Sequence, residues 1–162
     1  MIFFVGAISE NNVIGIGNKL PWRIPNDFKW FKMNTKMGAV IMGRKTWDSL
    51  PKKPLPNRLN IIISQTPRKS HKDVIWVQSI EHALVIARTK SKHTYIIGGA
   101  NIWQQTWAYI HVYILTKVHC NVEHENNVQI NIPSQKKLVW RSKLLKHKKL
   151  TYNFEIYVRT LN

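Results

Sequence analysis

Residues 94–103 read "TYIIGGANIW". Thr94 to Ile97 are residues that favour extended chain, and they end at a glycine pair. From Ala100 a helix-compatible pattern begins at once and runs to Tyr109. A strand that passes through Gly98-Gly99 straight into a helix is the repeating unit of an α/β sheet. The junction exposes free backbone N–H groups at the positive end of the helix dipole, which suits a pyrophosphate. Glycine permits the close backbone approach that a side chain would block. Taken alone, the same pair also serves as a tight strand–helix turn.

The rest of the chain repeats the alternation. "MIFFVGAIS" (1–9), "GAVIMG" (38–43), "LNIIIS" (59–64), "DVIWV" (73–77) and "IHVYILTKV" (110–118) are short β-prone runs. Several are apolar without strict alternation, as in strands covered on both faces. Between them the spacing predicts helices at Asp27–Thr35, with Phe28, Phe31 and Thr35 on neighbouring turns, at Thr46–Leu50, and at Ile80–Thr89 with Ser79 as cap. "KLVWRSKLL" (137–145) and "LTYNFEIYVRTL" (150–161) read as two strands joined by "KHKK". The expectation is one α/β domain over 1–162. It has a central, mostly parallel twisted sheet of about eight strands, an antiparallel C-terminal edge and about four flanking helices.

Two further stretches carry chemistry. "MGRKTW" (42–47) is again strand, glycine, helix start, here with Arg44, Lys45 and Thr46 placed for an anion. Arg44 suits a forked contact with phosphate. The GxxxxGK[ST] spacing of a P-loop is absent. In "LPWRIPNDFKWF" (20–31), one acid stands among prolines, tryptophans and phenylalanines, in a chain with only 8 Asp+Glu against 25 Lys+Arg. Asp27 and Phe31 share a helix face, so a flat heteroaromatic ring could stack on Phe31 while its N–H groups meet the carboxylate. Burial there would raise the acid's pKa and prepare it for proton chemistry. The other acids fall at turns, helix starts or strand positions read as exposed, Glu155 among them. In "HCNVEHE" (119–125), the histidine spacing matches no zinc pattern, so no metal is expected.

Net charge is +17 and pI about 10.3, which suggests anionic partners. The cations are spread along the chain, and the aromatics read as strand and helix interior. A nucleic-acid partner is therefore not expected, and steering of small anionic ligands is. The single cysteine, Cys120, excludes an intrachain disulfide and fits a reducing compartment, hence a cytoplasmic protein. The N-terminus lacks the features of a signal peptide, and no apolar run approaches the ~18 residues of a membrane span.

In this order the pieces resemble dihydrofolate reductase, and the match covers nearly the whole chain. "VGAISENNVIGIGNKLPWRIPNDFKWFKMNT" is similar to the family's first strand, mobile active-site loop and helix, followed by "VIMGRKTWDSLP", "LPNRLNIIIS", "YIIGGANIW" and "VYILTKV". The resemblance implies NADPH-dependent reduction of 7,8-dihydrofolate by a monomer. It implies Asp27, Trp22 and Leu20 at the catalytic centre, with Trp22 holding a water near Asp27 and Thr116 bonding its carboxylate. Val5, Ala7, Phe31, Leu50 and Ile97 would line the pterin and benzoyl pocket. Arg58 would grip the α-carboxylate of the glutamate tail, with Lys32 and Lys52 near. Ala7, Ile14, Gly15 and Asn18 would meet the nicotinamide end of the cofactor. Gly43, Arg44, Lys45, Thr46, Ser64, and Gly98, Gly99, Ala100, Asn101 and Ile102 would take its phosphates and ribose, with Gln65 also on the cofactor and the Trp103 ring near the nicotinamide. It also implies a cis peptide between Gly98 and Gly99.

Four departures from the family pattern stand out. Trp103 replaces a usual tyrosine. After Thr116, "HENNVQINIP" lacks the carboxylate that closes the active-site loop, which leaves the Asn126 or Asn127 amide as the nearest substitute and predicts looser closure. Gln65 and Asn101 replace residues that often help with a 2′-phosphate, so Arg44, helped by Arg68 or Lys69, would carry NADP preference. "PKKPLPNR" is one residue longer than the common bacterial form, which leaves Lys52 and Lys53 interchangeable. The alternatives are a pteridine or pyrimidine reductase of the same fold, a weakened homologue, and a basic nucleic-acid-binding module.

Overall fold

The computed structural model describes residues 1–161. In chain order the elements are β1 (Ile2–Ser9), β2 (Val13–Ile16), α1 (Pro25–Thr35), β3 (Ala39–Gly43), α2 (Arg44–Ser49), β4 (Leu59–Ile63), β5 (Val74–Val77), α3 (Ile80–Lys90), β6 (Thr94–Gly98), α4 (Ala100–Thr106), β7 (Val112–Val118), β8 (Asn127–Gln129), β9 (Lys136–Arg141), β10 (Leu145–His147) and β11 (Leu150–Arg159). The main sheet runs β10-β11-β7-β1-β6-β3-β4-β5, and β9 also pairs with β11. The strands from β7 to β5 pair in parallel, and β11 is antiparallel to β7. This is the predicted sheet.

Burial explains the apolar runs. In β3, Ala39, Val40, Ile41 and Met42 are all at most 1% exposed, because helices cover both faces of the sheet. Ile41, Ile61 and Ile96 meet Ala83, Leu84 and Ala87 of α3 on one face, while Val40, Met42 and Ile62 join Trp47 and Trp76 on the other. The Ser79 hydroxyl accepts the His82 N–H and caps α3 as expected. Helix α1 begins at Pro25, two residues before the predicted start, since proline at a first turn forgoes an N–H that has no helical partner.

Several sequence expectations need correction. The strand predicted over 137–145 breaks at Ser142, whose hydroxyl takes the Phe154 N–H and whose N–H bonds the Phe154 carbonyl. Its halves, β9 and β10, occupy successive stretches of the same edge of β11. The helix predicted to reach Tyr109 tightens into a 3₁₀ turn at Trp107–Tyr109. Phe28 is 46% exposed and does not share the inward face with Phe31. Trp140, read as interior, is 45% exposed at the β9 edge. Glu155, read as exposed, is 3% exposed, with both oxygens taken by Arg141 Nε at 2.7 Å and Tyr157 OH at 2.6 Å. A separate two-stranded sheet, β2 with β8, had no counterpart in the sequence reading. At four and three residues, these strands are too short for periodicity to register.

Candidate active site

Asp27 stands in the first turn of α1, where its N–H bonds the Ile24 carbonyl. Its Oδ1 accepts the Thr116 hydroxyl at 2.6 Å. Thr116 lies in β7 opposite Ala7 of β1 and Phe154 of β11, so three strands fix the donor. Among the described residues no Lys, Arg or His comes within ion-pair distance of Asp27. Burial therefore raises its pKa, and the Thr116 hydrogen bond opposes the rise only in part. The result is a carboxylate poised to share a proton.

The predicted pocket residues fall in two apolar clusters on this side of the sheet. Ala7, Trp22, Ile24, Tyr152 and Phe154 form one apolar cluster beside Asp27. Val5, Phe31, Leu50 and Ile97 pack in the adjoining one. Val5 and Ala7, two apart on β1, point to the same face. The Trp22 Nε1–H is buried without a protein acceptor, so it is a donor free to serve a small polar group. Leu20, outside the clusters, is 42% exposed.

Arg58 is 7% exposed and has no carboxylate partner among the described residues. Its Nε donates to the Pro56 carbonyl and Nη1 to Thr35 Oγ1 at 2.8 Å, with the guanidinium 5.8 Å from the Phe31 ring centre. These contacts hold the fork and leave Nη2 for an incoming anion. Thr35 as the anchor was not legible, since it lies 23 residues from Arg58. Lys53 Nζ donates to the Asp48 carbonyl. That leaves exposed Lys52 as the freer of the two lysines, with Lys32 also exposed.

On the cofactor side, Met42 of β3 pairs with Gly98 of β6, so the starts of α2 and α4 sit side by side. A methyl on Gly99 would lie 3.4 Å from Thr46 Oγ1, and one on Gly43 would lie 3.2 Å from Ile102. Gly98 has φ +119°, and its peptide to Gly99 is cis, as the resemblance implies. Arg44 and Arg68 both reach Asp48, at 3.6 and 3.5 Å, which brings the two predicted phosphate ligands together. Lys45 is exposed, and Ser64 is buried with its hydroxyl near the Thr66 carbonyl. Gln65 exchanges hydrogen bonds with Gln78, and Asn101 accepts one from Gln105. Trp103 is core: its ring packs on Phe4, a methyl on Gly6 or Gly98 would touch it, and Nε1 donates to the Ile96 carbonyl.

The loop that leads to Trp22 is tied down differently from expectation. The Gly17 N–H donates to the backbone carbonyl of Asn126 at 3.0 Å, and β2 pairs with β8. The Asn127 side chain instead donates to Val122. Neither the Asn126 nor the Asn127 side chain takes the Gly17 N–H in place of the lost carboxylate among the described residues; the Asn126 main chain does. Asn126→Ala is thus expected to leave kcat within about twofold, as for a surface change that removes no buried partner. Steady-state kinetics check this. Ile14 is part-buried against the core, a methyl on Gly15 would sit 3.2 Å from the Lys19 carbonyl, and Asn18 is exposed.

The same loop is anchored at its start. The Glu10 Oε1 meets His119 Nδ1 at 2.7 Å, and His119 Nε2 meets Asn153 Oδ1 at 2.6 Å. The Asn153 amide is oriented by its NH₂ donating to the Ser142 carbonyl. Both ring nitrogens therefore face acceptors, which favours the doubly protonated ring. Hydrogen bonds to Asn153 and Glu10 raise the His119 pKa above 6.5, and the His119 bond lowers that of Glu10 below 4.5. The stability His119 confers is full below 6.5 and lost as pH rises through its folded value. That from Glu10 is present above 4.5 and lost as pH falls through its folded value. Comparing Tm across pH for wild type and His119→Gln should show the gap closing as pH rises above 6.5 and through the folded value.

One part-buried acid without a cationic partner on one side of a parallel sheet's carboxyl edge and a glycine cradle on the other define an α/β enzyme. Such an enzyme handles a proton beside a phosphorylated second ligand. The dihydrofolate reductase family model matches residues 1–159, and the chain belongs to that family. It is 42% identical over 154 residues to the dihydrofolate reductase of Buchnera aphidicola subsp. Schizaphis graminum, covering 94% of each chain. With that of Bacillus subtilis it shares 34% identity over 155 residues, 96% of this chain and 91% of the other. Dihydrofolate reductase from Enterococcus faecalis, complexed with NADP(H) and RAB-propyl, superposes with a TM-score of 0.85. The two are 28% identical, and the superposition covers 98% of this chain and 96% of that one. No described helix is long and apolar enough to cross a membrane.

Proposed function

We propose that the protein reduces 7,8-dihydrofolate to 5,6,7,8-tetrahydrofolate with NADPH, as a cytoplasmic monomer. The observation that carries this reading is the part-buried Asp27 carboxylate, bonded to Thr116 and free of any cationic partner among the described residues. When bound, NADPH supplies the hydride that arrives at C6 of the pterin. Asp27 holds the pterin through its ring amide and amino N–H groups, with Thr116 Oγ1 occupying one carboxylate lone pair. The negative charge this places beside the ring favours a proton at N5, delivered through solvent near Trp22 Nε1. Val5, Ala7, Phe31, Leu50 and Ile97 exclude bulk water, which strengthens the electrostatic pull on that proton. Arg58 receives the α-carboxylate of the glutamate tail, with Lys32 and Lys52 adding positive potential.

The cradle fits a dinucleotide, because Gly43, where a side chain would press on Ile102, and Gly99, with no side chain to cover its N–H, leave the two helix starts open to a pyrophosphate. Thr46, Ala100 and Ile102 border it, and Ile14, Gly15, Asn18 and Leu20 belong to the loop that would cover the nicotinamide end. The Gly17–Asn126 backbone bond and the β2–β8 pairing hold this loop without the charge assistance of a carboxylate, so the product-release step is expected to differ from that of a loop closed by a carboxylate.

Loss of the NADPH absorbance on adding dihydrofolate tests the activity, and no oxidation under saturating conditions would refute it. Arg44→Ala is expected to weaken NADPH binding about 10- to 100-fold, the value of one charge-assisted bond, and to leave NADH nearly unchanged. Retained preference for NADPH would shift the 2′-phosphate role away from Arg44.

A further inference from the structure

Behind the strands that carry Thr116 and Phe154, on the opposite face of the sheet, lies a groove of about 420 Å³. Ile8, Leu115 and Ile132 contribute apolar lining. Because side chains alternate along a strand, Leu115 and Lys117 face away from Asp27 where Thr116 faces toward it. Lys117, His119, Lys136 and Arg141 line the groove, against two carboxylates, Glu10 and Glu155.

Both carboxylates are already engaged. Glu155 is bonded by Arg141 and Tyr157, and Glu10 by His119 at 2.7 Å with Lys117 Nζ at 3.6 Å. Three permanent cations, Lys117, Lys136 and Arg141, therefore face two carboxylates, and the two acceptors on His119 favour its protonated form as a further positive group. Lys136 is the group left over. Its Nζ donates to the Pro133 carbonyl at 2.7 Å and lies 5.6 Å from the Tyr157 ring centre, and no carboxylate is within 4.0 Å among the described residues. Burial and the neighbouring Lys117 ammonium both lower its pKa, the mark of a cation in an unfavourable field. Only Nε of Arg141 is spent on Glu155, so its terminal nitrogens remain as donors.

The geometry points to this groove as a second ligand site, for a small dianionic oxyanion of the phosphate or phosphomonoester class. Lys136, Lys117 and the Arg141 fork take the oxygens, and the apolar lining receives any organic body. An oxyanion matches the net positive charge of the groove and relieves the repulsion between Lys117 and Lys136. The size of the groove selects a small ligand over a polymer. The site is distinct from the Asp27 pocket, from which the sheet itself separates it.

The test titrates inorganic phosphate, and separately phenyl phosphate, into the NADPH-saturated protein at constant ionic strength, followed by backbone amide NMR. With the cofactor's own phosphate contacts filled, saturable shifts are expected at Lys117, Lys136, Arg141 and Tyr157. Lys136→Gln should weaken binding at least tenfold, Lys136→Arg should keep it, and Lys143→Gln, exposed and outside the groove, should leave it unchanged. Tighter binding of phenyl phosphate would assign the apolar lining to an organic phosphate, and equal binding would assign the free ion. Linear shifts, shifts unaltered by Lys136→Gln, or shifts confined to Gly43–Thr46 and Gly98–Ala100 would overturn the proposal.

Discussion

Asp27→Asn is expected to lower kcat at pH 7 by about 10²- to 10⁴-fold, the usual range for a lost general acid–base group. NADPH affinity should stay near wild type, because Asp27 lies on α1 and the glycine cradle is built from β3, β6 and the starts of α2 and α4. The amide matches the carboxylate in shape but carries no charge, and it can accept through only one of its two positions. The pterin N–H pair would lose one acceptor, and nothing would favour a proton at N5. Activity should recover as pH falls far enough to protonate dihydrofolate without help. The variant should also be more stable than wild type at neutral pH. An acid whose folded pKa is raised above 3.8 costs stability increasingly as pH climbs from 3.8 to the folded value, and the cost then stays constant. Asparagine removes it, so Tm should rise while activity falls, the trade expected of a site kept unfavourable for function. Near-normal kcat at pH 7 in the Asp27→Asn enzyme would move the proton role to another group. No gain in Tm would mean that Asp27 is better solvated than its burial implies.

The sheet was legible because its strands obey a local rule. Ala39–Met42, Asn60–Ile63 and Thr94–Ile97 are covered on both faces, and apolar runs ended by glycine or polar turns record that directly. The glycine junctions and the Asp27–Phe31 helix face were legible for the same reason, since each lies within a few residues of sequence. What escaped depends on partners far apart. Ser142 ends a strand because Phe154 supplies both of its backbone partners from across the hairpin. Glu155 has the sequence context of an ordinary exposed acid, and only the folded chain closes Arg141 and Tyr157 over it. His119 belongs to a stretch that suggests only an exposed loop, yet it joins Glu10 to Asn153 across three strands. The loss of the loop carboxylate is plain in the sequence, but its replacement is not. A backbone carbonyl leaves no trace in residue identity, so the sequence draws attention to the Asn126 side chain when its main chain makes the bond.

Gly98→Ala is expected to weaken NADPH binding about 10- to 100-fold, and the reason is conformational. At φ +119° an L side chain is strained whatever the space around it. The space itself is adequate: a methyl would lie 3.4 Å from the Trp103 ring and 3.7 Å from Thr46 Oγ1, ordinary contacts. Strain of this kind costs on the order of 1–3 kcal/mol where the surroundings hold the backbone in place. The chain can relieve it only by rotating the junction between β6 and α4. That rotation moves the Gly99 and Ala100 N–H groups away from where a pyrophosphate would meet them, and each ~1.4 kcal/mol is tenfold in affinity. Gly38→Ala supplies the contrast. There a methyl would come within 2.5 and 2.8 Å of the Tyr95 ring and 3.1 Å of the His93 carbonyl, a clash at an ordinary φ. Its cost falls on packing between β3 and β6 at the end of the sheet away from the cradle. Gly38→Ala should therefore lower Tm and leave the KM for NADPH close to wild type, whereas Gly98→Ala should raise that KM out of proportion to its loss of Tm. If the two variants shifted KM and Tm in the same ratio, the glycine pair would be a structural turn, the plainer of the two readings "TYIIGGANIW" allows.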